Sequence, residues 1–152
     1  MSDPNIILYP ISRIIRDYLI EQGVGFTYAT STDWAIATEA RPKKPFNAIT
    51  IYTEAETKQY RSSLGGVQDA PGVTIEVRST QPEPGQYQAK LIMQAMDALS
   101  RWEWEGDSTE YAQTVTIAIA RRVRGIFNLG MDDNGRHLFN LEYGLVIQSI
   151  TE

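Results

Sequence analysis

At 152 residues, with 42% hydrophobic and 22% charged side chains, the chain has the composition of one compact domain with its own core. It has no cysteine, which excludes disulfides, thiol nucleophiles and thiolate metal sites and leaves stability to packing. A formal net charge of −5 argues against a free-standing nucleic-acid binder, and no apolar run nears the roughly 20 residues that cross a bilayer.

The N-terminus lacks the cationic and apolar regions of an export signal, so a cytoplasmic site of assembly is expected. Residues 1–9 read as a lead-in that is unusually apolar at Ile6, Ile7 and Leu8. Such an arm either continues the next helix with a kink, the reading favoured here, or packs on a neighbour. Ile11, Ile14, Ile15, Tyr18 and Leu19 recur at helical spacing, with Pro10 suited to the first turn and Gly23 to the stop. Residues 25–40 show competing periods of two and of a helical turn and are expected to be mostly strand and loop. Pro42 and Pro45 then bracket Lys43 and Lys44 in an exposed connection.

Two strands follow, one marked by Ile49 and Ile51, the other by Val73, Ile75 and Val77 with Thr74, Glu76 and Arg78 on its opposite face. Between them, residues 53–70 are polar and form a long loop for a compact domain, either a flexible surface segment or one that becomes ordered against a partner. Pro82, Pro84 and Gly85 break the strand pattern. Leu91, Ile92, Ala95, Met96 and Leu99 then trace a helix entered near Tyr87 and running to about Trp102. From Glu110, Val115, Ile117 and Ile119 alternate along a strand leading towards Arg122. Phe139, Leu141, Tyr143, Leu145 and Ile147 define the last strand, joined to it by a tight turn in which Asn134 and Gly135 tolerate positive φ. The expected sum is one α+β domain over residues 1–152, a mainly antiparallel four- to five-stranded sheet with two helices packed on one face.

Catalytic chemistry has little to build on. His137 is the single histidine, and its acidic neighbours Asp132 and Asp133 are the residue type that a β-turn already uses for local hydrogen bonds. No phosphate-binding glycine loop, His-Glu-x-x-His or Gly-x-Ser-x-Gly is present, and no cofactor or metal is implied. Arg121, Arg122 and Arg124 are the only dense basic group; regular alternation would place Arg122 and Arg124 on one face, opposite Arg121. They either protect a sheet edge or touch DNA or an acidic neighbour. Trp102 and Trp104 alternate with Glu103 and Glu105, and are either core residues or a subunit anchor.

Leu129-Gly130, Asp132-Asp133 and Asn134-Gly135-Arg136 running into an alternating strand resemble the C-terminal signature of the tail terminator proteins of long-tailed bacteriophages. Arg41-Pro42-Lys43-Lys44-Pro45 before the Ile49 strand and Pro71-Gly72-Val73 opening the next agree in order along the chain. The signature departs from the family pattern at Ile126-Phe127-Asn128 and at Glu142-Tyr143. The resemblance implies a structural virion protein that forms a hexameric ring on the head-proximal end of the tail tube, stops its growth and presents the surface that joins the head. Its partners would be further copies of itself, the tail tube protein and a head–tail connector or head-closure protein, with no membrane. On this reading Lys58, Tyr60, Arg61, Asp132, Asp133, Asn134 and Arg136 contact partners, and Ile6, Ile7, Trp102 and Trp104 join subunits. Arg121, Arg122 and Arg124 face a lumen where genomic DNA passes and touch it without sequence specificity. Competing readings are another neck component or a small nucleic-acid-binding module.

Overall fold

The computed structural model of the chain describes residues 7–54, 59–61, 67–69, 71–107, 109 and 112–151. Helix α1, Ile11–Glu21, forms where the apolar stripe predicts it and buries Ile11, Ile14, Ile15, Tyr18 and Leu19. Pro10 is its N-cap, with ψ 130, so the residues before it do not continue the helix. The expected kinked extension is therefore replaced, from Ile7 on, by irregular chain: Ile7 and Tyr9 pack against the domain's own core, and the Leu8 amide donates to Gln113 Oε1. Gly23, at φ 75, ends the helix as expected, its amide donating to the Ile20 carbonyl.

Strands β1 (Phe26–Thr27), β2 (Ala35–Thr38) and β3 (Ala48–Glu54) follow, then a small antiparallel pair, β4 (Gln59–Arg61) with β5 (Val67–Asp69). The 53–70 interval thus carries strand structure of its own, where one loop was expected. Next come β6 (Gly72–Ser79), helix α2 (Pro82–Asp97), β7 (Ser100–Glu105), β8 (Thr114–Met131) and β9 (His137–Thr151). Pro82 and Pro84 open α2 rather than stopping the chain short of it, because proline's missing amide is harmless in a first turn. Gly85 seats that turn on the sheet: a Cβ there would come within 2.6 Å of Ser79 Cβ and 2.8 Å of the Phe139 ring.

The expected four- to five-stranded, mainly antiparallel sheet is not what forms. The main sheet has seven strands in the order β1-β2-β3-β6-β9-β8-β7, is mixed, and curls into a half-barrel, giving a mostly β fold with two helices. Strands β1, β2 and β3 are mutually parallel; every other pair is antiparallel. Three features account for the error. Trp34 (φ 62) and Glu39 (φ 68) take left-handed backbone on either side of β2, which interrupts its alternation. Trp102, read as the end of a helix, lies on β7. β8 continues well beyond Arg122, through several register shifts against β9 that bend and twist the pair.

One face of the sheet holds the core. Ile49 sits opposite Val77 and that opposite Phe139; Ile51, Ile75 and Leu141 form the next row, and both helices lie over these rows. Each such aliphatic side chain removed from water contributes about 1.5–3 kcal/mol. Tyr18 OH donates to the Ala95 carbonyl (2.6 Å) and Tyr143 OH to Asp97 Oδ1 (3.0 Å), tying α1 to α2 and α2 to β9. The other face of β6 is buried too, which its alternating sequence does not announce. Glu76 and Arg78 lie beneath the 39–47 connection that carries the chain from β2 to its parallel neighbour β3.

Candidate interaction site

Two stretches far apart in sequence, the Pro-Lys-Lys-Pro connection and the β8–β9 turn, meet on the surface. Between them lies an open groove of about 560 Å³ lined by Lys43, Lys44, Phe46, Thr80, Asn134 and Arg136. The connection is fastened from below by Arg78. Its Nη1 donates to the Pro42 carbonyl (2.6 Å), Nη2 to Pro45 (2.6 Å) and Nε to Phe46 (3.1 Å), across a cis Lys44–Pro45 peptide. These acceptors are neutral, so the charge of Arg78 is offset only at a distance. Burial, and then the nearby Arg136 and Arg41, push its pKa below the usual guanidinium value. Arg41 instead holds Glu76 with two hydrogen bonds, 2.7 and 2.8 Å, which raises its own pKa. Lys43 and Lys44 are exposed at the rim.

The turn on the other side has a geometry the sequence suggested only in part. The Gly135 amide donates to the Asp132 carbonyl and the Asp132 amide to the Arg136 carbonyl, while positive φ falls on Gly135 (φ 74) and not on Asn134. This is a three-residue connection, a type I turn closed by a left-handed glycine, in place of the expected tight turn using positive φ at both Asn134 and Gly135. Asp132 organises it, accepting from the amides of Asn134 and Arg136 and from Arg136 Nε. The Arg136 amide foremost, against some desolvation, holds the Asp132 carboxyl below its ordinary range. Asp132 is thus committed to the turn, Asp133 and Asn134 are exposed, and Arg136 lies over the Phe46 ring at 5.6 Å. His137 pairs with Met131 and Ser79 across the sheet, and no metal-binding cluster of acidic and histidine side chains occurs among the described residues.

A second surface lies along β8. Strand β7 covers β8 only as far as Ile119, so residues 120–131 have a strand neighbour on the β9 side alone among the described residues. There Val123 (69% exposed), Met131 (65%), Phe127 (47%) and Leu129 (45%) present apolar side chains to solvent. The arginines do not fall as regular alternation predicts. A register shift between Arg122 and Arg124 sets Arg122 opposite Tyr143, on the helix face, and Arg124 opposite Glu142, on the other. Arg122 is held there by Asp97 at 3.3 Å and Met93 Sδ. Arg121, opposite Gly144, joins Arg124 on the helix-free face, where Arg124 stacks over Phe127 at 5.2 Å.

The tryptophans are mostly spent inside the chain. Trp104 is buried in the core against Tyr9 and donates to Asp17 Oδ2; Trp102, half-buried, packs edge-on against Tyr18 and donates to Glu21 Oε2. Ile7 packs on the core from outside. Ile6 and Lys58 lie outside the described residues, and of Tyr60 and Arg61 only the backbone, in β4, is described. Sequence reasoning missed Phe46, Arg78, Val123 and Phe127. Only the Pro-Lys-Lys-Pro motif signalled the first two, and nothing local distinguishes an exposed valine or phenylalanine in a strand from a buried one.

No helix among the described residues is long and apolar enough to cross a membrane. No curated protein matches the chain. The family model described as "Bacteriophage tail terminator protein" matches residues 18–149, a span that includes the Pro-Lys-Lys-Pro connection, the β8–β9 turn and nearly all of the sheet. The chain therefore belongs to the bacteriophage tail terminator protein family, a structural component of the virion tail.

Proposed function

We propose that copies of this chain close into a ring, six in number, on the head-proximal end of the tail tube, stop its growth and present the surface that joins the head connector. The observation that carries the reading is the apolar row on the far part of β8. A chain with a sufficient core of its own leaves Val123, Phe127, Leu129 and Met131 in water, and so many large exposed apolar side chains on one stretch of strand mark a protein contact. A head-to-tail contact that closes by rotation leaves the two faces of the ring chemically different, so one engages the tube and the other the head.

In this arrangement the β8 row joins neighbouring subunits, and the described part of the N-terminal arm is braced on its own domain. Trp104 drops out of the interface and Trp102 offers only its outer edge. Arg121 and Arg124, flanking the apolar row, become rim residues of the subunit contact, and Arg122 braces α2. The β8–β9 turn, with Asp133, Asn134 and Arg136, and the β4–β5 pair point to tube or connector, and any lumenal contact with DNA is nonspecific. Light scattering on the purified chain, alone and with tail tubes, tests this. A six-fold particle free in solution or on tube tips is expected. A chain that stays monomeric and leaves tube growth unchanged would defeat the reading.

A further inference from the structure

We infer that the groove between the Pro-Lys-Lys-Pro connection and the β8–β9 turn is a docking site for an acidic, partly apolar peptide segment of a neighbouring protein. The claim deepens the ring reading, on which it rests for the identity of that neighbour as tube or connector. Charge is the first ground. The chain as a whole is −5, yet Lys43, Lys44 and Arg136 line this groove and Arg41 and Arg78 lie beside it. The nearby carboxylates Glu76 and Asp132 are already engaged by Arg41 and Arg136.

Arg78 is the second ground. It is buried and hydrogen-bonded to carbonyls alone, so its charge reaches the groove without a carboxylate bound to it. Burial, and then the neighbouring Arg136 and Arg41, lower the Arg78 pKa, a strain that an anion in the groove would relieve, and Lys43 and Lys44 have no carboxylate partner among the described residues.

The shape selects peptide over nucleic acid. Phe46 is 53% exposed and forms an apolar wall beside the cations, a surface that suits a carboxylate next to an apolar side chain. A duplex backbone, which offers phosphates but no apolar side chain, would leave that ring unused.

The test uses the full chain and two fluorescein-labelled probes, a ten-residue peptide alternating glutamate with phenylalanine and a twenty-base-pair duplex, read by anisotropy. Saturable peptide binding is expected, weakened about tenfold or more by the double reversal Lys43→Glu with Lys44→Glu. Phe46→Ala should weaken it about threefold with all charges intact, and Arg121→Glu with Arg124→Glu should leave it unchanged. All these side chains are exposed, so circular dichroism should show every variant folded. Peptide binding that ignores the lysine reversal, duplex binding tighter than peptide through the same lysines, or no saturable peptide binding overturns the inference. Light scattering of the unaltered chain reports the ring separately, so a groove that fails in a chain that still forms rings counts against the groove alone.

Discussion

The near and far parts of β8 belong to one continuous strand and differ in what covers them. From Thr114 to Ile119 the strand lies between β9 and β7, and Val115 and Ile117 are fully buried. Over residues 120–131 the same strand keeps β9 but loses β7, the register slips repeatedly, and apolar side chains stand in water. The near part is completed by its own chain. The far part is bulged strand with exposed apolar side chains and, among the described residues, no strand on its outer side, which is the state expected of a surface that another molecule completes. Its bulges and arginines also discourage indiscriminate strand addition, so the contact they permit is to a face and not to a bare edge.

Substitution should separate the two parts most clearly. Ile117→Ala should cost roughly 2–5 kcal/mol in urea unfolding, because it opens a cavity in a filled core. Phe127→Ser or Val123→Ser should change folding by no more than about 0.5 kcal/mol and yet prevent ring formation in light scattering. If Phe127→Ser unfolds the protein as Ile117→Ala does, the contrast is wrong. Next in size, Arg78→Met should lose roughly 3 kcal/mol, since the carbonyls of Pro42, Pro45 and Phe46 lose their donor at a largely buried site. It should also loosen the 39–47 connection, visible as faster amide exchange there.

Gly135→Ala places a Cβ on a left-handed residue at the tip of the far part and should cost about 1 kcal/mol, read as a lower urea midpoint. The smallest effect concerns pH. Asp132 has its pKa lowered in the folded chain, so its contribution is present above the unfolded carboxylate value of about 4 and is lost as pH falls through the folded value. Comparison with Asp132→Asn should therefore show a stability difference that is flat near neutrality and shrinks only in acid. A difference that shrinks between pH 6 and 8 would contradict the assignment.

Periodicity sufficed for α1 and β9, which bury one side and so repeat cleanly, and for the aliphatic rows by which β3 and β6 face the helices. It failed where burial is not one-sided. β6 is buried on both faces, but its outer cover is a connection fastened by Arg41 and Arg78, and no local pattern reveals that contact. β2 is short and flanked by left-handed residues, so its two-residue period never accumulates. Bulges in β8 change which face each arginine takes, and regular alternation cannot anticipate them. The groove was half legible: its two motifs were visible as motifs, but their meeting depends on the parallel β2–β3 crossover, which only the fold supplies.

The account turns on whether the far part of β8 is covered in the assembled virion. Electron cryomicroscopy of purified tails measures this directly. The expected map holds a ring of this chain at the head-proximal tip, with Val123 and Phe127 buried against the next subunit. A map that places the chain elsewhere, or leaves those side chains facing solvent within the ring, would contradict it.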